Sequence, residues 1–139
     1  MIDKEIPGYI IVRVWHPSRD LDFISSMLSM SKMHSWLAGS PRQTPTGRML
    51  RGTNKESYWC SEQQVFYSDD GFNGKINLVI DRLVKAGKNI IELKNTGGKI
   101  ELYLQLPGSV NNGGALESSS LKALGELGVD LLIEVFPKT

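Results

Sequence analysis

The run Lys99 to Leu106 (KIELYLQL) constrains the fold more than any other stretch of the chain. Ile100, Leu102, Leu104 and Leu106 alternate without a break with Lys99, Glu101, Tyr103 and Gln105. Successive side chains of a strand point to opposite faces, so one face of this strand is apolar and the other polar. A sheet built around it is covered by helices on one side and meets water on the other. That is α+β architecture, not a sheet wound with helices on both faces.

The rest of the chain is read against this strand. Tyr9 to Trp15 (YIIVRVW) is β-branched and aromatic, and His16-Pro17 stops it. Ile10, Val12 and Val14 share one of its faces; Tyr9, Ile11, Arg13 and Trp15 share the other. Ser18 is placed to cap a helix over Arg19 to Met30, with Asp20 and Asp22 in its first turn and Leu21, Ile24, Met27 and Leu28 as its stripe. Tyr58 to Tyr67 is a further strand, although SEQQ interrupts its apolar pattern. After a turn at Asp69-Asp70-Gly71, Asn73 can cap a helix from Gly74 to Ala86, whose inward stripe is Ile76, Val79, Ile80, Leu83 and Val84. Lys88 to Asn95 is a short helical piece carrying Ile90, Ile91 and Leu93, closed by Gly97-Gly98. A polar loop over Asn111 to Gly114 leads to a helix near Ser118 to Leu127 that buries Leu121 and Leu124. Gly128 ends it and releases a last strand, Val129 to Phe136. We therefore expect one α+β domain over residues 1–139: a two-layer sandwich with a mixed or antiparallel sheet of about four strands and the helices packed on one face.

Composition excludes several functions. A net charge of +1 argues against a broad basic nucleic-acid face and equally against an acidic mimic of a phosphate backbone. The single cysteine, Cys60, leaves no internal disulfide and favours a reducing compartment. No apolar run approaches the ~18–20 residues of a membrane span, and the opening MIDKEIPGY has no signal-peptide core. The expectation is a cytoplasmic protein that binds neither membrane nor nucleic acid.

Trp36 to Trp59 (WLAGSPRQTPTGRMLRGTNKESYW) has turn residues at Gly39, Pro41, Pro45, Gly47 and Gly52 and no helical or strand period. Loops longer than about 12–15 residues are usually functional or disordered, and two bracketing tryptophans imply packed ends. Arg42, Arg48, Arg51 and Lys55 against Glu56 give this stretch a local charge of +3. Its candidate site residues are Trp36, Arg42, Thr44, Arg48, Tyr58 and Trp59. The glycines, threonines and arginines resemble a phosphate cradle, but they lack the GxxxxGK[ST] spacing of a P-loop. The plainer reading is a brace in which Arg42 is tied to carbonyls near Trp36 and Trp59 while Arg48 stays exposed.

Cys60, His16 and His34 are the only conventional nucleophile and base candidates, and no spacing pairs them. Nor do two distant histidines and one cysteine supply a zinc set. The expectation is therefore no catalytic residues, no metal and no cofactor. The polar sheet face is the second candidate surface: Arg13, Trp15, Glu101, Tyr103, Glu134 and Phe136, with Gln105, Asp130 and Leu132, all project onto it. Aromatic residues mixed with paired charges suit protein recognition. A solvated face with cross-strand pairs is the alternative.

The chain also resembles a known family. A tryptophan with a Gly-x-Pro-Arg element (Trp36, Gly39, Pro41, Arg42), a threonine-proline-glycine turn (Thr44, Pro45, Gly47), a Tyr-Trp pair (Tyr58, Trp59) and a closing Leu127-Gly128-Val129-Asp130-Leu131 carry the likeness. They are similar to the bacterial domain-of-unknown-function family DUF-four-two-seven-nine. The family's Asp-x-Tyr ending is replaced here by Glu134-Val135-Phe136. The resemblance implies an α+β fold and no established activity, and some small bacterial families of this sort sit beside toxins as immunity proteins. The leading expectation is a non-enzymatic binding protein, an immunity-type inhibitor of a partner toxin. The alternative is a small-molecule or anion-binding domain, with or without catalysis, that uses the Trp36–Trp59 loop.

Overall fold

A computed structural model describes residues 6–67, 72–108 and 114–137. In chain order the elements are β1 (Pro7–His16), α1 (Ile24–Leu28), β2 (Lys32–Trp36), β3 (Pro41–Gln43), β4 (Met49–Thr53), β5 (Ser57–Ser61), β6 (Gln64–Tyr67), α2 (Phe72–Lys85), α3 (Gly87–Asn95), β7 (Lys99–Pro107), α4 (Ser118–Leu127) and β8 (Asp130–Phe136). The expected turn at Asp69-Asp70-Gly71 and most of the loop from Asn111 lie outside the described residues.

The fold is mixed α+β, but the main sheet has six strands where about four were expected. It runs β2-β5-β1-β7-β8, with β6 also paired to β1. All pairs are antiparallel except β7–β8, which are parallel and joined through α4. One extra strand comes from the splitting of the expected Tyr58–Tyr67 strand into β5 and β6; the other, β2, is nearly all exposed, and backbone pairing to β5 alone makes it a strand.

The core lies between the sheet and all four helices. Ile10, Val12 and Val14 of β1, Trp59 of β5 and Ile100, Leu102 and Leu104 of β7 pack with Ile24, Leu28, Ile76, Val79, Ile80, Leu83, Ile90, Leu93, Leu124 and Leu127. This is the face that alternation assigned to the core. Five expected core members differ: Val84, Ile91 and Leu121 are about half exposed, and Met27 and Leu106 are only partly buried. On α4 the sheet-facing stripe runs through Leu124 and Leu127, which turns Leu121 outward. Gly128, with φ +70, closes α4 by a left-handed turn in which Val129 N–H reaches the Leu124 carbonyl at 2.9 Å.

The helix expected over Arg19 to Met30 is confined to Ile24–Leu28. Asp20 Oδ1 accepts the Asp22 N–H at 2.9 Å, a local turn that competes with helix, and Ser29 ends the segment in a left-handed conformation. The strand expected over Tyr58 to Tyr67 is broken in two. β5 pairs Cys60 with Arg13 and β6 pairs Gln64 with Ile10, so Ser61, Glu62 and Gln63 stand opposite Ile11 and Val12. The extra residue is a β-bulge, which explains the interrupted pattern at SEQQ. The amide of Val12 is satisfied there by the buried Ser61 hydroxyl, at 2.9 Å.

The largest correction concerns the long loop. Residues 37–56 form a two-stranded arm that continues β2 and β5 outward. Trp36 faces Tyr58, and Pro41 faces Thr53 further along in the same registration. The tip is a tight turn: Gly47 N–H donates to the Thr44 carbonyl at 2.9 Å and Thr44 N–H to the Arg48 carbonyl at 2.8 Å. Pro45 supplies the fixed φ at the turn's second position and Gly47, with φ +92, the left-handed residue that a three-residue hairpin loop requires.

Candidate functional site

Registration across the sheet places the polar-face residues in rows. The row nearest the arm is Trp36, Tyr58, Trp15 and Lys99; the next is His34, Cys60, Arg13, Glu101 and Asp130. Beyond them lie Ile11, Tyr103 and Leu132, then Tyr9, Gln105 and Glu134, and finally Pro107 and Phe136.

The first row is an aromatic file. Tyr58 sits between the two tryptophans, with ring centroids 4.6 Å from Trp36 and 5.4 Å from Trp15. Cations close its inner end: the Arg13 guanidinium and the Lys99 ammonium lie 5.2 and 5.3 Å from the Trp15 ring. Arg13 also stacks on Tyr103 at 4.3 Å and is hydrogen-bonded and ion-paired to Glu101. Tyr103 in turn donates to the Glu134 carboxylate. This face was expected to be wet, yet Glu101 and Tyr103 are buried. The cause is the Arg13 side chain, which lies over both, together with Tyr58 and Leu132 packing on Ile11, Cys60 and Tyr103.

Burial opposes the charge on Arg13, but the hydrogen bond and charge of Glu101 outweigh it and hold the guanidinium protonated more firmly than usual. Burial first, then the neighbouring Cys60, pushes the Tyr58 hydroxyl far above an ordinary phenol. Burial and the bond to Glu134 likewise raise Tyr103. These shifts leave Arg13 charged and the Tyr58 and Tyr103 hydroxyls neutral at neutral pH.

The structure thus brings together Arg13, Trp15, Glu101, Tyr103 and Glu134, and adds Trp36 and Tyr58 from the loop candidates. Phe136 stands apart, lining an apolar recess of about 430 Å³ with Tyr9, Leu106 and Pro107 at the sheet's far end. Trp59 belongs to the opposite face: it is fully buried, with its indole N–H on Ser25 Oγ at 3.1 Å. It anchors the root of the arm in the core, whereas Trp36 is 45% exposed.

Arg42, Thr44 and Arg48 do not converge. Arg42 donates to the Arg51 carbonyl at 3.1 Å, inside the arm and away from Trp59, and lines a recess of about 610 Å³ with Trp36, Arg51, Lys55 and Glu56. Thr44 accepts the Arg48 amide at 3.0 Å and lines a separate recess of about 480 Å³ between the arm and β2, whose walls include His34, Trp36 and Gln43. The Arg48 side chain lines neither recess. Sequence reasoning passed over Arg51 and Lys55 as site residues; the signal was the Thr44-Pro45-Thr46-Gly47 turn, which folds them back toward Arg42.

His34 and Arg13 flank Cys60 as cross-strand neighbours. Cys60 is a free, buried cysteine, only 5% exposed. His16 serves the fold: its Nδ1 accepts the amides of Ser18 and Arg19 at 3.1 and 2.9 Å, so Nε2 carries the proton shared with Thr96 Oγ1. Among the described residues no cluster of three His, Cys, Asp or Glu side chains could hold a metal ion, and no helix is long and apolar enough to cross a membrane. Comparison with family models, curated proteins and solved structures finds no match for this chain.

Proposed function

We propose that the protein is a non-enzymatic binding domain, an immunity-type inhibitor that docks a partner toxin in the cytoplasm. It docks through the arm and the aromatic file at the arm's root. The observation that carries this reading is the arm itself. No side chain of residues 37–56 is buried, so the arm adds nothing to the core, yet it displays Leu37 next to Trp36 at its root and Met49, opposite Gln43, toward its tip. Large apolar groups gathered on an exposed projection mark contact surfaces.

The second reading, a small-anion site built on Arg42, Thr44 and Arg48, draws on the recess beside Arg42. Against it stands the separation of those side chains into different recesses.

The test replaces residues 38–56 by an Asn-Gly turn, which can close the β2–β5 hairpin because Trp36 and Tyr58 are already paired. The variant is expected to fold, since no side chain it removes is buried. It should lose calorimetric binding to the toxin encoded beside it. A metabolic operon in place of a toxin gene, or full binding by the armless variant, would overturn the proposal.

A further inference from the structure

We infer that the recess beside Arg42 is a receptor for an acidic segment of a partner protein, with the segment's apolar residue resting on Trp36. The inference rests on the protein-binding reading and names the chemistry of the partner.

Three cations, Arg42, Arg51 and Lys55, line this recess, and Glu56 is the sole acid among its lining residues. Among the described residues every carboxylate ion pair lies elsewhere: Arg13–Glu101, Arg19–Glu92, Lys32–Asp22 and Lys122–Glu126. Among the described residues, then, no carboxylate ion-pairs with the recess cations, and Glu56 leaves the lining a charge of +3 − 1 = +2. Arg42 is pinned to a neutral carbonyl, that of Arg51, which uses one of the five N–H donors of its guanidinium and leaves the rest to meet a carboxylate. The side wall is apolar: one side of Trp36 stacks on Tyr58 and 45% of the residue remains exposed.

The charge distribution selects the occupant. The arm carries +3 on a chain of net charge +1, which leaves −2 on the remainder. A nucleic acid needs a basic track that follows its backbone, and here the positive charge stops at the arm. A short acidic protein segment fits an isolated basic recess with an aromatic wall.

The test uses the full chain and a synthetic peptide, acetyl-Glu-Asp-Glu-Phe-Glu-Asp-Glu-amide, followed by calorimetry and tryptophan fluorescence at low salt. The acidic peptide is expected to bind, and its Gln/Asn counterpart is not. Arg42→Ala and Arg51→Ala should each weaken binding about tenfold, as loss of a charge-assisted contact does. Arg51→Glu should abolish it, and Lys122→Ala, on the helical side, should leave it unchanged. Melting curves establish that the variants fold. Absence of peptide binding, equal binding by Arg51→Glu, or tighter binding of oligothymidylate or inorganic phosphate lost in the same variants would each overturn the inference. Failure of the peptide while the armless variant still loses the toxin would remove the acidic partner and keep the binding function. Peptide capture with toxin binding intact in the armless variant would do the reverse.

Discussion

The bulge between β5 and β6 gives the sharpest test of how this sheet is held. Three residues stand opposite Ile11 and Val12 there, so the ladder cannot supply the Val12 amide with a strand carbonyl. Ser61 Oγ accepts it at 2.9 Å, and both Val12 and Ser61 are 0% exposed. Ser61→Ala leaves that amide buried without an acceptor, at a cost of about 1–3 kcal/mol. With a melting entropy of about 2.1 cal/mol/K per residue over 139 residues, each kcal/mol lowers Tm by roughly 3 °C. Thermal melts by circular dichroism should therefore fall by roughly 3–10 °C for Ser61→Ala, and by less than about 2 °C for the exposed neighbour Glu62→Ala. Amide exchange is the second readout: Val12 should be protected in wild type and exchange faster in Ser61→Ala than Val14 does. A variant that melts within 1 °C of wild type, with Val12 still protected, would mean that the amide has another acceptor.

Three further outcomes are expected. Leu102→Ala empties a fully buried site between the sheet and the helices and should cost about 2–5 kcal/mol in denaturant unfolding, whereas Leu121→Ala, on an exposed position, should cost under about 0.5 kcal/mol; similar losses for both would show that the rotation of α4 is misplaced. Burial, and then the charge of Arg19, hold His16 below its ordinary pKa of 6.5. Just below pH 6.5 the unfolded chain thus binds a proton that the folded chain refuses, and stability should fall as pH drops through that range and be fully present above it; His16→Gln should flatten this slope, and an unchanged slope would assign it to another group. Cys60→Ser should leave toxin binding intact, because Cys60 is buried under Tyr58 and offers a partner almost no surface; loss of binding in a variant that melts normally would make the thiol part of the surface.

Local pattern alone determined a good deal of this protein. β7 was legible because strict alternation has only one geometric meaning, β1 because it is β-branched and aromatic up to His16-Pro17, and α2 because its apolar residues recur at helical spacing. Gly128 marked the end of α4 because a helix closing on a left-handed residue favours glycine. What pattern could not supply was pairing. β2 and β4 have exposed faces, so no hydrophobic period announces them; they are strands because backbone amides found partners across the sheet or the arm. The Thr44-Pro45-Thr46-Gly47 turn was a hairpin signal in plain view, but its polar flanks hid what it joined. Glu101 and Tyr103 sit at polar positions of an alternating strand, and only Arg13, 88 residues from Glu101 in sequence, decides that they are covered. The separation of Arg42 from Arg48, and the gathering of Arg42 with Arg51 and Lys55, follow from the fold-back of the arm. Periodicity reports which way a side chain points relative to its own element. Its neighbours depend on which element lies alongside, and that is set by packing and hydrogen bonding across the whole chain.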